Sequence, residues 1–223
     1  MAAKIPKTMP FDDMEDEIIF TRAAAGADPD ARDLLPLTDD WMPWVETARA
    51  RDRDARIAVA TAFALRRISN LRLDAACEEF GDELELAVKK DFEGSRWTRF
   101  FSGAANTAKR FVRVRFSEQV GRVTGWLTGA GDEVLEKHRP PLTTWSEAGQ
   151  QALNATRATS QVRGDAAIER EETAEALTRG RDGFEATLVA RANERGLPRE
   201  WPKTFFKPRT RDEDDAGPPV PAA

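Results

Sequence analysis

A pattern of eight residues occurs twice in this chain. Pro36, Trp41, Ala48, Leu73, Phe80, Leu84, Trp97 and Phe101 return in register, 104 positions later, as Pro140, Trp145, Ala152, Leu177, Phe184, Leu188, Trp201 and Phe205. Four of the six tryptophans fall into this register, and tryptophan is too scarce for that agreement to arise often by chance. The reading is a tandem duplication, and a fold for the chain has to bury one aromatic set twice. The first helical unit is assigned to 1–102 with an N-terminal arm, the second to 103–206, and 207–223 to a disordered tail, KPRTRDEDDAGPPVPAA, which is poor in large apolar residues.

Within each copy the period is helical. Leu73, Cys77, Phe80, Leu84 and Ala87 advance by four and three, as do Ala108, Val112, Phe116, Val120, Val123 and Leu127. Phe11, Met14, Ile18 and Ile19 give a short amphipathic helix over 11–25, with Asp12, Asp13, Glu15, Asp16 and Glu17 near its N-terminus, where the helix dipole favours them. Residues 26–38 and 137–141 read as connectors because of their prolines and glycine. Two helices are expected over 39–92, broken at Ser69–Asn70 or at Arg51–Asp54, and one over about 104–127, ended by Gly129 and Gly131. Thr144 to Glu147 has capping-box spacing for a further helix, and Gly196-Leu197-Pro198 stops it. Without tyrosine or any bounded alternation of apolar residues, strands have no support. The fold class is all-α: six or seven helices, in a bundle of two tandem related helical units.

The ending Gly196-Leu197-Pro198-Arg199-Glu200-Trp201-Pro202-Lys203-Thr204-Phe205-Phe206, with a repeated helical body before it, resembles a group of uncharacterised bacterial all-helical proteins that close on Gly-Leu-Pro, Trp-Pro and Phe-Phe. The resemblance implies a helical fold and carries no activity, cofactor or catalytic residue.

Material for catalysis is thin. His138 is the only histidine and Cys77 the only cysteine, so a disulfide within the chain and a cysteine-based zinc cluster are excluded. His138 reads as a surface residue of a connector, and Cys77 as a small hydrophobe on an apolar stripe. The carboxylate pairs Glu78/Asp82, Glu79/Glu83 and Glu171/Glu175 have i, i+4 spacing and lack the Glu-x-x-His partner of a di-metal bundle. Arg163-Gly164-Asp165 falls inside a helical stretch, and no phosphate-binding loop is present. No catalytic residue, cofactor or metal is expected.

The local feature with binding potential is basic and aromatic. Arg96, Arg99, Lys109, Arg110, Arg113 and Arg115 alternate with Trp97, Phe100, Phe101, Phe111 and Phe116 and contain no acid between them. In a chain of net charge −5, the expected counterpart is a protein carboxylate, either Asp12–Glu17 of the same chain or Asp212–Asp215 of a neighbour, ahead of nucleic-acid phosphate. The expectation is a non-catalytic helical scaffold or protein-interaction subunit, with self-assembly as one form of that role. The alternative is a nucleic-acid-binding accessory protein using 96–116. With no signal-like leader, no membrane span and a single cysteine, the expected compartment is the cytoplasm.

Overall fold

The computed structural model describes residues 4–129 and 131–208. Among them every regular element is helical: α1 (Phe11–Ala27), α2 (Trp41–Ala87), α3 (Ser95–Thr98), α4 (Ala108–Phe111), α5 (Phe116–Thr128) and α6 (Glu133–Arg195), with short 3-10 helices at Arg32–Thr38, Gly103–Ala105 and Trp201–Phe205. The all-α expectation holds.

Several expected boundaries do not. α2 runs unbroken through both proposed break points. Ser69 is buried on its inner face, and Asn70 donates from Nδ2 to Asp74 Oδ2 at 2.8 Å, one helical turn on, so neither residue diverts the backbone. The expected 104–127 helix is in three pieces instead. Gly103 takes a left-handed φ of 64°, and Thr107 starts α4 by accepting from the Arg110 N–H. The turn between α4 and α5 lets Phe111 and Phe116 both reach the core.

The connector expected at 137–141 is helix, since Pro140 and Pro141 lie inside α6. The helix begins earlier, where Asp132 Oδ1 accepts from the Val134 N–H at 2.9 Å and the Leu135 N–H at 3.3 Å. Leu135 and Leu142, both fully buried, anchor the helix on either side of the prolines. Thr144 is consequently mid-helix and caps nothing. At the other end the sequence reading stands: Gly196 has φ 69° and the Leu197 N–H reaches back to the Ala192 carbonyl at 2.9 Å.

Packing divides the chain into two compact units, one of residues 1–53 with 165–223 and one of 54–164. Both boundaries fall within the long helices. In the first unit Met14 and Ile18 of α1, Trp41 and Val45 of α2, Leu177, Phe184 and Leu188 of α6, and Phe205 form one core. Trp41 meets Phe184 edge to face at 5.9 Å. Gly180 permits this approach, because a Cβ there would lie 2.6 Å from Trp41 Nε1. The N-terminal arm is tied to the same unit: Ile5 is buried, and its N–H donates to Thr178 Oγ1 at 3.1 Å.

In the second unit Leu73, Phe80 and Leu84 of α2 pack with Trp97, Phe100, Phe101, Phe111, Val123, Trp126, Leu135 and Leu142. Phe80 sits edge to face with Phe100 at 5.0 Å, and Phe100 with Trp126 at 5.7 Å. Gly149 lets α5 approach α6 closely, a Cβ there falling 2.7 Å from Val120 Cγ2.

The eight-residue pattern threads through both units in a crossed manner. Leu73, Phe80, Leu84 and Phe101 share a core with the helix that carries Trp145, whereas Leu177, Phe184, Leu188 and Phe205 share one with Trp41. Each unit thus joins the front of one copy of the pattern to the back of the other. The two leading tryptophans differ, however: Trp41 opens α2 and is buried, while Trp145 lies inside α6, half-buried with Arg72 over its ring at 5.8 Å.

Candidate interaction surfaces

The six basic residues singled out in the sequence have three different fates. Arg96 is structural: it grips Asp132 through Nε at 2.8 Å and Nη2 at 3.2 Å. Burial pushes the Asp132 carboxyl up, but Arg96 and the N–H groups of Leu135 and Val134 outweigh it and hold the group below the ordinary aspartate range. Arg99 lies over the Phe100 ring at 4.8 Å and with Ser102, Arg122, Gly125, Trp126 and Gly129 lines an open cleft of about 510 Å³. Arg122, not singled out in the sequence, donates to the Phe100 carbonyl at 3.2 Å.

Lys109, Arg110, Arg113 and Arg115 are exposed. Arg110 donates to Asn106 Oδ1 at 3.1 Å, and among the described residues no carboxylate pairs with any of the four. The acidic face of α1 is engaged within its own unit. Asp12 and Glu15 meet Arg49, Asp16 meets Lys207 and Glu17 meets Arg181. Residues 212–215, the other acidic candidate, lie outside the described residues.

His138 is no connector residue. It sits in α6 with its side chain largely covered, 2.9 Å from Glu83 Oε2 and against the Phe80 ring. Glu83 also binds Lys137, and these two partners, Lys137 first, hold its carboxyl below the ordinary glutamate range. Cys77 is buried as expected, and burial pushes its thiol well above the ordinary range, away from the reactive thiolate. Glu171 and Glu175 hold Lys7. Among the described residues no group of three or more His, Cys, Asp or Glu is placed to hold a metal ion, and no helix is long and apolar enough to cross a membrane.

The most conspicuous surface is one that sequence reading passed over. On α2, Ile57, Phe63, Ile68 and Leu71 are 53–67% exposed, and Leu65 is 37% exposed. Ile57, Thr61, Ala64, Ile68, Leu71 and Ala75 advance by four, three, four, three and four, and all six are exposed. The inward face of this stretch is instead Ala55, Ala62, Ser69, Leu73 and Ala76. The signal was the 57–75 spacing itself, which has the form of a coiled-coil seam. Periodicity alone does not say which of two apolar stripes is turned inward.

Comparison with known proteins adds no assignment: no family model, curated protein or solved structure matches the chain.

Proposed function

We propose that this protein is a non-catalytic helical interaction subunit that works by docking other macromolecules on its helix faces. The observation that carries the reading is the outer face of α2, where Ile57, Ile68 and Leu71 stand in solvent along one side of the helix, with Phe63 and Leu65 exposed on its two flanks. Contiguous exposed apolar surface of this kind marks interaction sites. The duplication belongs to the same proposal: a helical module that doubled would present two related cores, as the buried pairs Phe80/Phe184 and Leu84/Leu188 suggest. The closing motif at 196–206 is in keeping with the helical group it resembles, and the lone cysteine with a reducing, cytoplasmic compartment.

The test is capture of tagged protein from its native cells, with mass spectrometry, comparing wild type with an Ile68→Asp/Leu71→Asp variant. Light scattering on both separates self-assembly from partner binding. A bound protein, or an oligomer, lost in the variant is the expected result. Identical capture and identical mass for both proteins would end this reading of the α2 face.

A second reading has its own observation. Lys109, Arg110, Arg113 and Arg115 form an exposed basic group with no carboxylate partner among the described residues, as a nucleic-acid-binding accessory surface would need. An oligonucleotide gel shift that weakens steeply with salt and disappears in Arg110→Glu/Arg113→Glu would favour it.

A further inference from the structure

Trp44 is the tryptophan that neither core uses. The other five belong to one core or the other, whereas Trp44 is 36% exposed and makes no ring contact among the described residues. It lines a cleft of about 250 Å³ within the first unit, together with Thr47 of α2 and with Glu169, Glu172, Thr173 and Ala176 of α6. That lining holds two carboxylates and no cation. Glu169 is taken by Arg51 at 2.7 Å, but Glu172 has no hydrogen bond or ion pair among the described residues. The neighbouring cations are committed: Lys7 lies on Glu171 and Glu175, Arg170 over the Phe11 ring, and Arg179 toward Glu175 at 3.9 Å. The positive end of the α2 dipole lies near Trp44, and Asp40, one turn earlier, stands against it.

The same unit shows what a carboxylate beside an aromatic face can hold. Arg181 meets the Glu17 carboxylate at 2.9 Å and lies over the Phe206 ring at 5.2 Å, so one guanidinium serves both groups. Arginine also covers Phe11, Phe100, Phe111 and Trp145. At Trp44 the ring and the carboxylate are present and the guanidinium is not.

We propose that the Trp44–Glu172 cleft docks an arginine side chain of a partner protein, with the guanidinium plane on the indole and its N–H groups on Glu172. Arginine suits the pair better than lysine, because a planar guanidinium both stacks on a ring and presents a fork to a carboxylate. The cleft, at about 250 Å³, is smaller than the ~300–1,000 Å³ of sites that enclose a whole small molecule. It takes one side-chain head group. The proposal rests on the interaction-subunit reading but concerns a different surface from Ile57–Leu71, in the other unit.

The experiment follows the indole N–H signals of the isotope-labelled full chain by NMR, with the Trp44 signal assigned as the one lost in Trp44→Phe. Three blocked peptides are titrated, a Gly-Arg-Gly sequence and its lysine and citrulline counterparts, alongside free agmatine. The arginine peptide is expected to move the Trp44 signal and leave those of the buried tryptophans in place. It is expected to bind about tenfold more tightly than the lysine peptide, and the citrulline peptide, which lacks the charge, not to bind. Glu172→Gln is expected to weaken the arginine peptide about tenfold. Unmoved signals from the other tryptophans show that this variant keeps its fold. A Trp44 signal indifferent to the arginine peptide, equal binding of the arginine peptide and either counterpart, or full binding by Glu172→Gln overturns the proposal. Agmatine binding more tightly than the peptide also overturns it, by making the cleft a small-molecule site. A partner captured from cells through Ile68 and Leu71, together with a Trp44 signal that no peptide moves, would leave the interaction-subunit reading standing and remove this one.

Discussion

Arg181 Nη2 lies 2.9 Å from Glu17 Oε2, and both side chains are almost completely enclosed, 3% and 5% exposed. Arg181 also stacks over Phe206 at 5.2 Å, so α1, α6 and the closing segment of one unit meet at this pair. Removing one member strands a charge in the core. Glu17→Ala and Arg181→Ala are each expected to cost about 3–5 kcal/mol in urea unfolding, whereas changing both to methionine is expected to cost much less. Equal losses for the single and double changes would show that packing, and not the uncompensated charge, dominates.

The closing aromatics are next in weight. Phe205 is buried against Phe184 at 6.5 Å and Trp201 at 4.9 Å, and Phe205→Ala is expected to cost about 3–5 kcal/mol. Trp201 is half-buried, with its indole N–H on Asp28 Oδ2 at 2.8 Å. Trp201→Phe, which deletes that bond and keeps most of the ring, is expected to lose about 1 kcal/mol. Chemical denaturation of the two variants checks the ranking.

Asp132 gives a pH dependence with a definite sign. Its folded-state pKa is lowered, so its contribution is complete above the ordinary unfolded aspartate value of about 3.9 and fades as pH falls through the lower folded value. Asp132→Asn is therefore expected to be less stable than wild type at neutral pH, with the gap narrowing below about pH 4. A gap that stays constant down to the acid transition would disprove the linkage.

Arg110→Glu with Arg113→Glu removes no carboxylate contact within the described residues, so the folding free energy is expected to move by no more than about 0.5 kcal/mol per site. Thermal melts test this directly. A large loss would reveal a partner for these residues in the assembled protein.

Cys77 is expected to resist a thiol-reactive dye in the native state and to react fully in denaturant, because the buried thiol is held protonated. Rapid native labelling would mean that the second unit's core opens readily.

The helical class was legible because Leu73, Phe80 and Leu84 repeat at helical spacing and Gly196-Leu197-Pro198 stops a helix by known chemistry. Pro140 and Pro141 misled for an equally physical reason. Proline rules describe the cost of a missing N–H and a backbone clash, and here buried Leu135 and Leu142 hold the helix through them. Arg96 was legible as a charge but not as a tether, since its partner Asp132 is 36 residues away and no local pattern joins them. The α2 seam was hidden by its own second stripe: Ala55, Ala62 and Ser69 face inward with small side chains, while the larger Ile57, Ile68 and Leu71 face out, against the usual expectation that bulk marks the core.

The crossed partition of the cores sets an order of events during synthesis. The 54–164 unit is contiguous in sequence, so all of its core has left the ribosome while α6 is still being made, and it is free to fold first. The other unit depends on contacts such as Trp201 with Asp28 and Ile5 with Thr178, each 173 residues apart. Its N-terminal half must wait, with Met14, Ile18 and Trp41 uncovered, until the end of α6 emerges. High-separation contacts of this kind slow folding and lengthen exposure to aggregation, which makes α1 and the start of α2 the stretch of the nascent chain most in need of a chaperone.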